Sequence, residues 1–393
     1  MHIAVVGAGP AGAWAAYTLA RRGARVTIFD PSHPREKPCG GGVTGRALAL
    51  VAEAVSQRDL PVTVVRSARF VDSRRGDAAT VAFDDAAAHP SLVVASRAAF
   101  DAALIAAAVH AGASLDRSRV TDVAVAAAGV RISTTAGDCD ADFVIGADGA
   151  NSLVRRRMTR AFAREQLSIA TGFFARGITS AEIVVELVGD PPGYLWSFPR
   201  PDHLAIGICA QADAGITAGT LRATTARWIR TARLADGARL DPYSWPIPSL
   251  DARACGRLEL AGSRWVLIGD AAGLVDPITR EGIYFALLSA EWAADALSTG
   301  HCPDAYVARV QEEIGSELAR AARLKAGFFR PAFIGLMLHA LQQSEAVRAV
   351  MADLIAGRQD YRTLRWRLLK TLELSLAWQL VVSGRRSRPV LAP

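Results

Sequence analysis

Lysine is nearly missing from this chain. Among 393 residues only Lys37, Lys325 and Lys370 are lysines, so arginine supplies almost all of the basic charge. The formal net charge is +7. The arginines are scattered and the aromatics are not interleaved with them, which argues against nucleic-acid binding and for a solvated basic surface. Closely spaced cysteines are missing too. Cys39, Cys139, Cys209, Cys255 and Cys302 lie far apart, and no Cys-x-x-Cys occurs. That pattern argues against zinc, iron–sulfur and thioredoxin-type sites. The histidines show no ligand spacing either, so no metal is expected. No apolar run matches the roughly 20 residues that a bilayer crossing needs; the longest late stretch is Pro331 to Leu341. The apolar residues at the start read as a strand, not as a signal peptide. The expected location is the cytoplasm.

Half of the chain is apolar, 51%, so there is material for two domains or one large core. His2 to Val6 is a short strand-like run, and Gly7, Gly9 and Gly12 follow with G-x-G-x-x-G spacing. Helix formers run from Ala11 to Arg22, Gly23 stops them, and a second strand, Arg25 to Phe29, ends in Asp30. This is the order of a dinucleotide-binding unit. Gly7 permits the turn, Gly9 lets a pyrophosphate approach the backbone, and Gly12 lets the helix pack on the strand. Asp30 is expected to accept from ribose hydroxyls. The fingerprint alone does not choose between a nicotinamide and a flavin dinucleotide, and no second copy of it occurs.

Further along, Pro38-Cys39-Gly40-Gly41-Gly42 concentrates three glycines. Such a run has an entropic cost and suits close approach to another body, expected here to be the cofactor ring. Cys39 reads equally as a reactive thiol or as a small packing residue. Arg97 opens an alanine-rich helix, where a cation opposes the helix dipole. An external anion such as a pyrophosphate is expected opposite it. A second turn, Gly146-Ala147-Asp148-Gly149, follows a strand; Asp148 is expected to cap a helix starting at Asn151 and to touch the cofactor. Leu167 to Val188 and His203 to Ala210 are rich in strand formers and read as an antiparallel sheet. Between them Tyr194, Trp196 and Phe198 alternate, so they share one strand face. They form either a core ladder or an apolar binding wall. A third turn, Gly269-Asp270-Ala271-Ala272-Gly273, leads to a helix start near Gly282 and Ile283. Its N–H groups would face an electron-rich ring edge. From Pro303 onward the chain reads as helical. It includes a basic amphipathic stretch, Tyr361 to Val382, and an Arg385-Arg386-Ser387-Arg388 tail. A packed helix is the default for this stretch, and a membrane-surface helix is the sharper alternative.

The three turns together resemble FAD-dependent monooxygenases and reductases of the para-hydroxybenzoate-hydroxylase-type fold. The Pro38–Gly42 run and Pro191-x-x-Tyr194-x-Trp196-x-Phe198-Pro199 resemble, more narrowly, the geranylgeranyl reductase family. The resemblance implies an α/β protein with a Rossmann-like FAD-binding domain over residues 1–60, 93–165 and 255–300. An inserted antiparallel-sheet substrate domain would take 61–92 and 166–254, and a helical C-terminal region 301–393. Gly7, Gly9, Ala11, Gly12, Asp30, Cys39, Gly40, Gly41, Arg97, Val120, Asp148, Asp270, Gly282 and Ile283 would bind FAD. Tyr194, Trp196 and Phe198 would line a prenyl tunnel. One departure stands out: the family's Pro-x-Thr-Gly-Glu-Gly-Ile has Arg280 in place of its first glycine here. That side chain would alter access to the ring or bind an anionic head group.

The activity so implied is reduction of isoprenoid carbon–carbon double bonds, in a geranylgeranyl or polyprenyl lipid or a quinone side chain, by hydride transfer from flavin N5. Cys39 or a held water is the candidate proton donor. The external reductant would be NAD(P)H or a small electron carrier, and a lipid substrate implies peripheral membrane contact. Two alternatives stand beside this reading. One is a flavin-dependent hydroxylase or epoxidase on a hydrophobic substrate. The other is an electron-transfer flavoprotein feeding a quinone. A halogenase would need a catalytic lysine and a Trp-x-Trp-x-Ile-Pro segment, where this chain has Tyr194-Leu195-Trp196-Ser197-Phe198-Pro199.

Overall fold

The computed structural model describes residues 1–83, 90–300 and 303–371. Cys302, the basic stretch beyond Thr371 and the Arg385–Arg388 tail lie outside the described residues. The first sheet is built on His2–Val6. It has Arg25–Phe29 and then Ser114–Asp116 on one side, and Phe143–Gly146 and then Trp265–Leu267 on the other, all parallel. Ala261–Gly262 closes the edge antiparallel. Phe143–Gly146 is buried at every position, which is how a parallel strand reads when both faces are covered. Helix Pro10–Arg21 packs on this sheet between helices Arg97–His110 and Ile283–Ser298.

The second large sheet has seven strands in the order Arg239–Pro248, Leu167–Arg176, His203–Gln211, Pro192–Pro199, Glu182–Gly189, Ser67–Asp72 and Ala78–Ala82. It is mixed rather than antiparallel throughout, because Glu182–Gly189 runs parallel to Ser67–Asp72. Those two strands come from distant parts of the chain, so no hairpin forces them antiparallel. Alternation divides the sheet faces. Leu195, Ile206 and Ile208 pack with Trp228 of helix Ala218–Thr231, while Trp196 clusters with Tyr243, Tyr194 and Phe198 on the other face.

Two small sheets complete the strands. Gly42–Thr44 and Val62–Val64 flank Leu92–Ala95, and Val120–Ala126, Gly129–Thr134 and Gly137–Ala141 form a meander. Helices Ser316–Phe328, Pro331–Gln343, Glu345–Ile355 and Tyr361–Lys370 follow. The apolar 331–341 stretch is a packed helix: Phe333, Ile334, Met337, Leu338 and Leu341 bury against Phe70, Val81 and Ile183. Among the described residues no helix is long and apolar enough to cross a membrane.

Candidate functional site

The fingerprint turn leaves room for hydrogen and nothing more at two of its glycines. Gly7 has φ +103°, and a Cβ there would lie 2.5 Å from Ala147 O, so this turn packs on the Gly146–Gly149 turn. A Cβ on Gly12 would sit 1.9 Å from Gly7 O. Gly9 is different: a Cβ would meet only His33 Nε2, at 3.9 Å. Gly9 N-caps helix Pro10–Arg21 without a side-chain cap, so the first N–H groups stay available to an anion. Asp30 is occupied. Its Oδ2 accepts from Ala8 N at 2.9 Å and meets His33 Nδ1 at 2.8 Å; its Oδ1 accepts from Ser32 N at 2.7 Å, His33 N at 2.8 Å and Ser32 Oγ at 3.1 Å. Burial alone would raise its pKa, but His33 and the backbone donors outweigh that and hold the carboxyl well below the usual range. A ribose hydroxyl reaching Asp30 would have to displace one of these donors, so holding the turn is its first task.

The glycine loop lies close to protein as well as to the cavity: a Cβ on Gly40 would lie 3.0 Å from Phe198 Cγ, and one on Gly42 3.3 Å from Phe198 Cε1. Gly41, at φ +86°, lies against Ala95 O. Arg97 needs no external anion, since its Nε and Nη2 each donate to the Asp101 carboxylate at 2.9 Å, one turn along the same helix. Its Nη1 lies 3.6 Å from Cys39 Sγ, and Arg200 Nη2 lies 3.8 Å from the same sulfur. Arg200 is fully buried. It donates to Cys39 O at 2.6 Å and pairs with Glu36. Glu36 in turn accepts from Ser96 Oγ at 2.8 Å and Arg97 N at 3.0 Å, which pins the loop to the helix start.

The second turn also shifts. Asp148 Oδ2 accepts from Leu153 N at 2.6 Å and Val154 N at 3.2 Å, and Ser152 is the N-cap of helix Leu153–Met158, two residues later than expected. Arg155 Nη1 donates to Ala271 O at 3.2 Å, tying the second turn to the third. Val120 starts a strand of the meander.

A cavity of about 260 Å³ joins the remaining candidates. Cys39, Gly40, Gly41, Arg97, Asp270, Gly282 and Ile283 line it together with Tyr194, Trp196 and Phe198. Gly7, Gly9, Ala11, Gly12, Asp30, Val120 and Asp148 are not in this lining. The turns nevertheless converge. A Cβ on Gly269 would lie 3.0 Å from Ala11 Cβ, and one on Gly282 would lie 3.3 Å from Asp270 Oδ1. Asp270 Oδ2 meets Lys37 Nζ at 3.2 Å. Gly282 N-caps the 16-residue helix Ile283–Ser298 with no side-chain cap and no acid in its first turn. Tyr194 and Trp196 meet edge-on at 5.8 Å, and Tyr194 Oη donates to Thr279 O at 3.2 Å. The three rings are thus both core and cavity wall.

Sequence reasoning missed what lies behind the third turn. A second cavity, about 210 Å³ and polar, is lined by Arg46, Asp276, Glu281, Glu317 and Tyr361 among others. Glu281 and Thr279 border both cavities. Glu281 pairs with Arg46 and accepts from Thr44 Oγ1 at 2.8 Å; burial raises its pKa despite that cation. Asp276 Oδ1 accepts from Ile278 N at 2.7 Å and Thr279 N at 2.9 Å, and its Oδ2 accepts from Tyr361 Oη at 2.8 Å. No local signal marks these residues, because Tyr361 comes from 85 positions away and Arg46 from 235.

Comparison with known proteins narrows what these parts can hold. The family described as FAD binding domain matches residues 1–297. The digeranylgeranylglycerophospholipid reductase of Methanothrix thermoacetophila is 29% identical over 410 aligned positions, covering 96% of this chain and 98% of that protein. The menaquinone reductase of Mycolicibacterium smegmatis is 29% identical and covers 93% and 95% respectively. A crystal structure described as geranylgeranyl bacteriochlorophyll reductase-like, from Thermoplasma acidophilum, superposes with a TM-score of 0.77 at 21% identity, covering 94% of this chain and 98% of that one. The residues present fit FAD: the open helix start at Gly9 suits a pyrophosphate, and the uncapped helix at Gly282 suits an electron-rich ring. The chain belongs to the FAD-binding-domain family and is an FAD-dependent oxidoreductase similar to the geranylgeranyl reductases.

Proposed function

We propose that this enzyme reduces carbon–carbon double bonds of an isoprenoid chain. One observation carries the reading: the flavin-side residues Cys39, Gly282 and Ile283 share a cavity with the aromatic wall of Tyr194, Trp196 and Phe198. Bound FAD supplies hydride chemistry at that cavity. Everything else is the work of the chain. The wall excludes water and holds an extended hydrocarbon against the site. An isolated alkene accepts hydride poorly, so a proton must reach one carbon as hydride reaches the other. The ring faces favour the cationic character that develops, by about 0.5–2 kcal/mol. Cys39 Sγ is the proton-bearing atom we assign, since it lines the cavity and two guanidinium groups hold it in place. Names of relatives with a lipid or a quinone substrate accord with this reading. The two large sheets then divide the labour. Residues 1–60, 93–165 and 255–300 hold FAD, and 61–92 with 166–254 wall the substrate.

The test is anaerobic incubation of the FAD-loaded, chemically reduced enzyme with geranylgeranyl diphosphate, geranylgeraniol and menaquinone. A gain of two mass units per reduced bond in one of them supports the reading. Incorporation of labelled oxygen into product under air, without any such gain, overturns it in favour of a monooxygenase. The same preparation identifies the reductant: rapid anaerobic bleaching of the flavin by NADPH supports direct supply, and its absence supports a small carrier.

A further inference from the structure

Arg280 brings a cation to one end of the apolar cavity, and Lys325 and Ser249 stand behind it, outside the lining. Arg280 lines the cavity and has φ +62°, a left-handed conformation that a non-glycine residue adopts at a cost of roughly 1–2 kcal/mol. Its Nη1 donates to Ser249 Oγ at 2.6 Å, and its Nε is buried without a hydrogen-bond partner. Lys325 Nζ donates to the same Ser249 Oγ, at 2.7 Å, and to Gln211 Oε1 at 2.6 Å. Ser249 is buried. A third cation, Arg35, stacks over Trp245 at 4.9 Å, and Trp245 lines the same cavity. Among the described residues none of these three has an ion pair with an acid. This contrasts with the rest of the site, where Arg97, Arg46, Lys37 and Arg200 each face a carboxylate.

Two cations bonded to one neutral oxygen repel each other, and burial deepens the effect. Burial and then Arg280 bring the Lys325 ammonium down to about 7 from an ordinary value of 10.5, although Asp213, too far for an ion pair, pulls the other way. A strained backbone beside a mutually repelling pair lowers stability, and proteins keep such arrangements where a ligand repays them. Hydrocarbon suits the remainder of the cavity, and an anion suits this end.

We propose that Arg280, Lys325 and Ser249 form a subsite for the phosphate or diphosphate group of an amphipathic isoprenoid, with Arg35 at its edge. The inference rests on the isoprenoid reading above and sharpens it. An uncharged quinone head would leave both cations unanswered. A head group fixed here also decides which double bonds along the chain can reach the flavin.

The first experiment uses full-length, FAD-loaded protein and inorganic diphosphate. A saturable rise in melting temperature is expected, and Arg280→Gln or Lys325→Gln should weaken the apparent affinity about tenfold or more. No response in the parent protein, or an equal response in the variants, overturns the subsite. This readout needs no turnover, so it stands apart from the isoprenoid reading, which fails if no prenyl compound is reduced. The second experiment compares kcat/KM for geranylgeranyl diphosphate, a geranylgeranylated glycerophosphate and geranylgeraniol. In both variants the advantage of one phosphorylated substrate over the alcohol should fall about tenfold through KM. The substrate with the larger fall identifies the source of the phosphate. An unchanged ratio, or a loss in NADPH affinity instead, overturns the proposal.

Discussion

The two ends of the active-site region are built on opposite principles. At the dinucleotide end the protein satisfies itself: Asp30 takes five donors, Arg97 is matched by Asp101, and Gly12 lies against Gly7 with no spare volume. At the Ser249 end, Arg280 and Lys325 crowd one oxygen, and among the described residues neither forms an ion pair with an acid. Apart from the helix start at Gly9, which stays open to an anion, the first end is finished before any ligand arrives and depends on shape. The second is completed only by what binds there, and it trades stability for recognition.

Five changes test that contrast. The largest effect belongs to Gly12→Val, whose new side chain would start 1.9 Å from Gly7 O. The protein should purify without flavin, and FAD added to it should be lost completely on desalting. Next is Cys39→Ala, which should lower turnover by about 10²- to 10⁴-fold while the flavin spectrum and FAD affinity stay as they were. Loss of FAD together with activity would make Cys39 a packing residue instead.

The remaining three concern stability, and two of them titrate in opposite senses. Lys325 has a folded-state pKa below its unfolded value, so the unfolded chain binds more protons between about 7 and 10.5. Stability should therefore rise with pH across that window, and Lys325→Met should remove the slope and raise stability near neutral pH by roughly 1–3 kcal/mol in denaturant melts. Asp30 is the reverse case. Its depressed pKa contributes stability above the unfolded carboxyl value, and this fades as pH falls below about 4. Asp30→Asn should lose roughly 2 kcal/mol at neutral pH and flatten the acid limb. The smallest change is Arg280→Gly. Relief of the positive φ should stabilise the protein by about 1 kcal/mol, measured as a rise in denaturation midpoint. A loss there instead would mean that the bond from Arg280 to Ser249 outweighs the strain.

Sequence patterns made the finished end legible and hid much of the open one. The glycine fingerprint, the alternating Tyr194, Trp196 and Phe198, and the uncapped helix start at Gly282 are local signals. Arg280 was visible as a departure from a motif, because its neighbours Pro277, Thr279, Glu281 and Gly282 frame it. Lys325 was not, since it meets Gln211 and Ser249 across 114 and 76 residues. Distance also hid the contact of Phe198 with the glycine loop, and the parallel pairing of Ser67–Asp72 with Glu182–Gly189. Arg97 shows a different failure. The helix-dipole argument was sound in sign, but Asp101 one turn later supplied the compensating charge from within the same element.

The Asp276 carboxylate has a mechanical consequence. One of its oxygens fastens the bend before Gly282, and the other holds the phenol of Tyr361 at the start of the last described helix. Hydrogen bonds to a charged acceptor are worth about 1.5–3 kcal/mol each, so that bend cannot swing outward unless the helix lifts with it. Any displacement of that helix is thereby carried to the bend before Gly282.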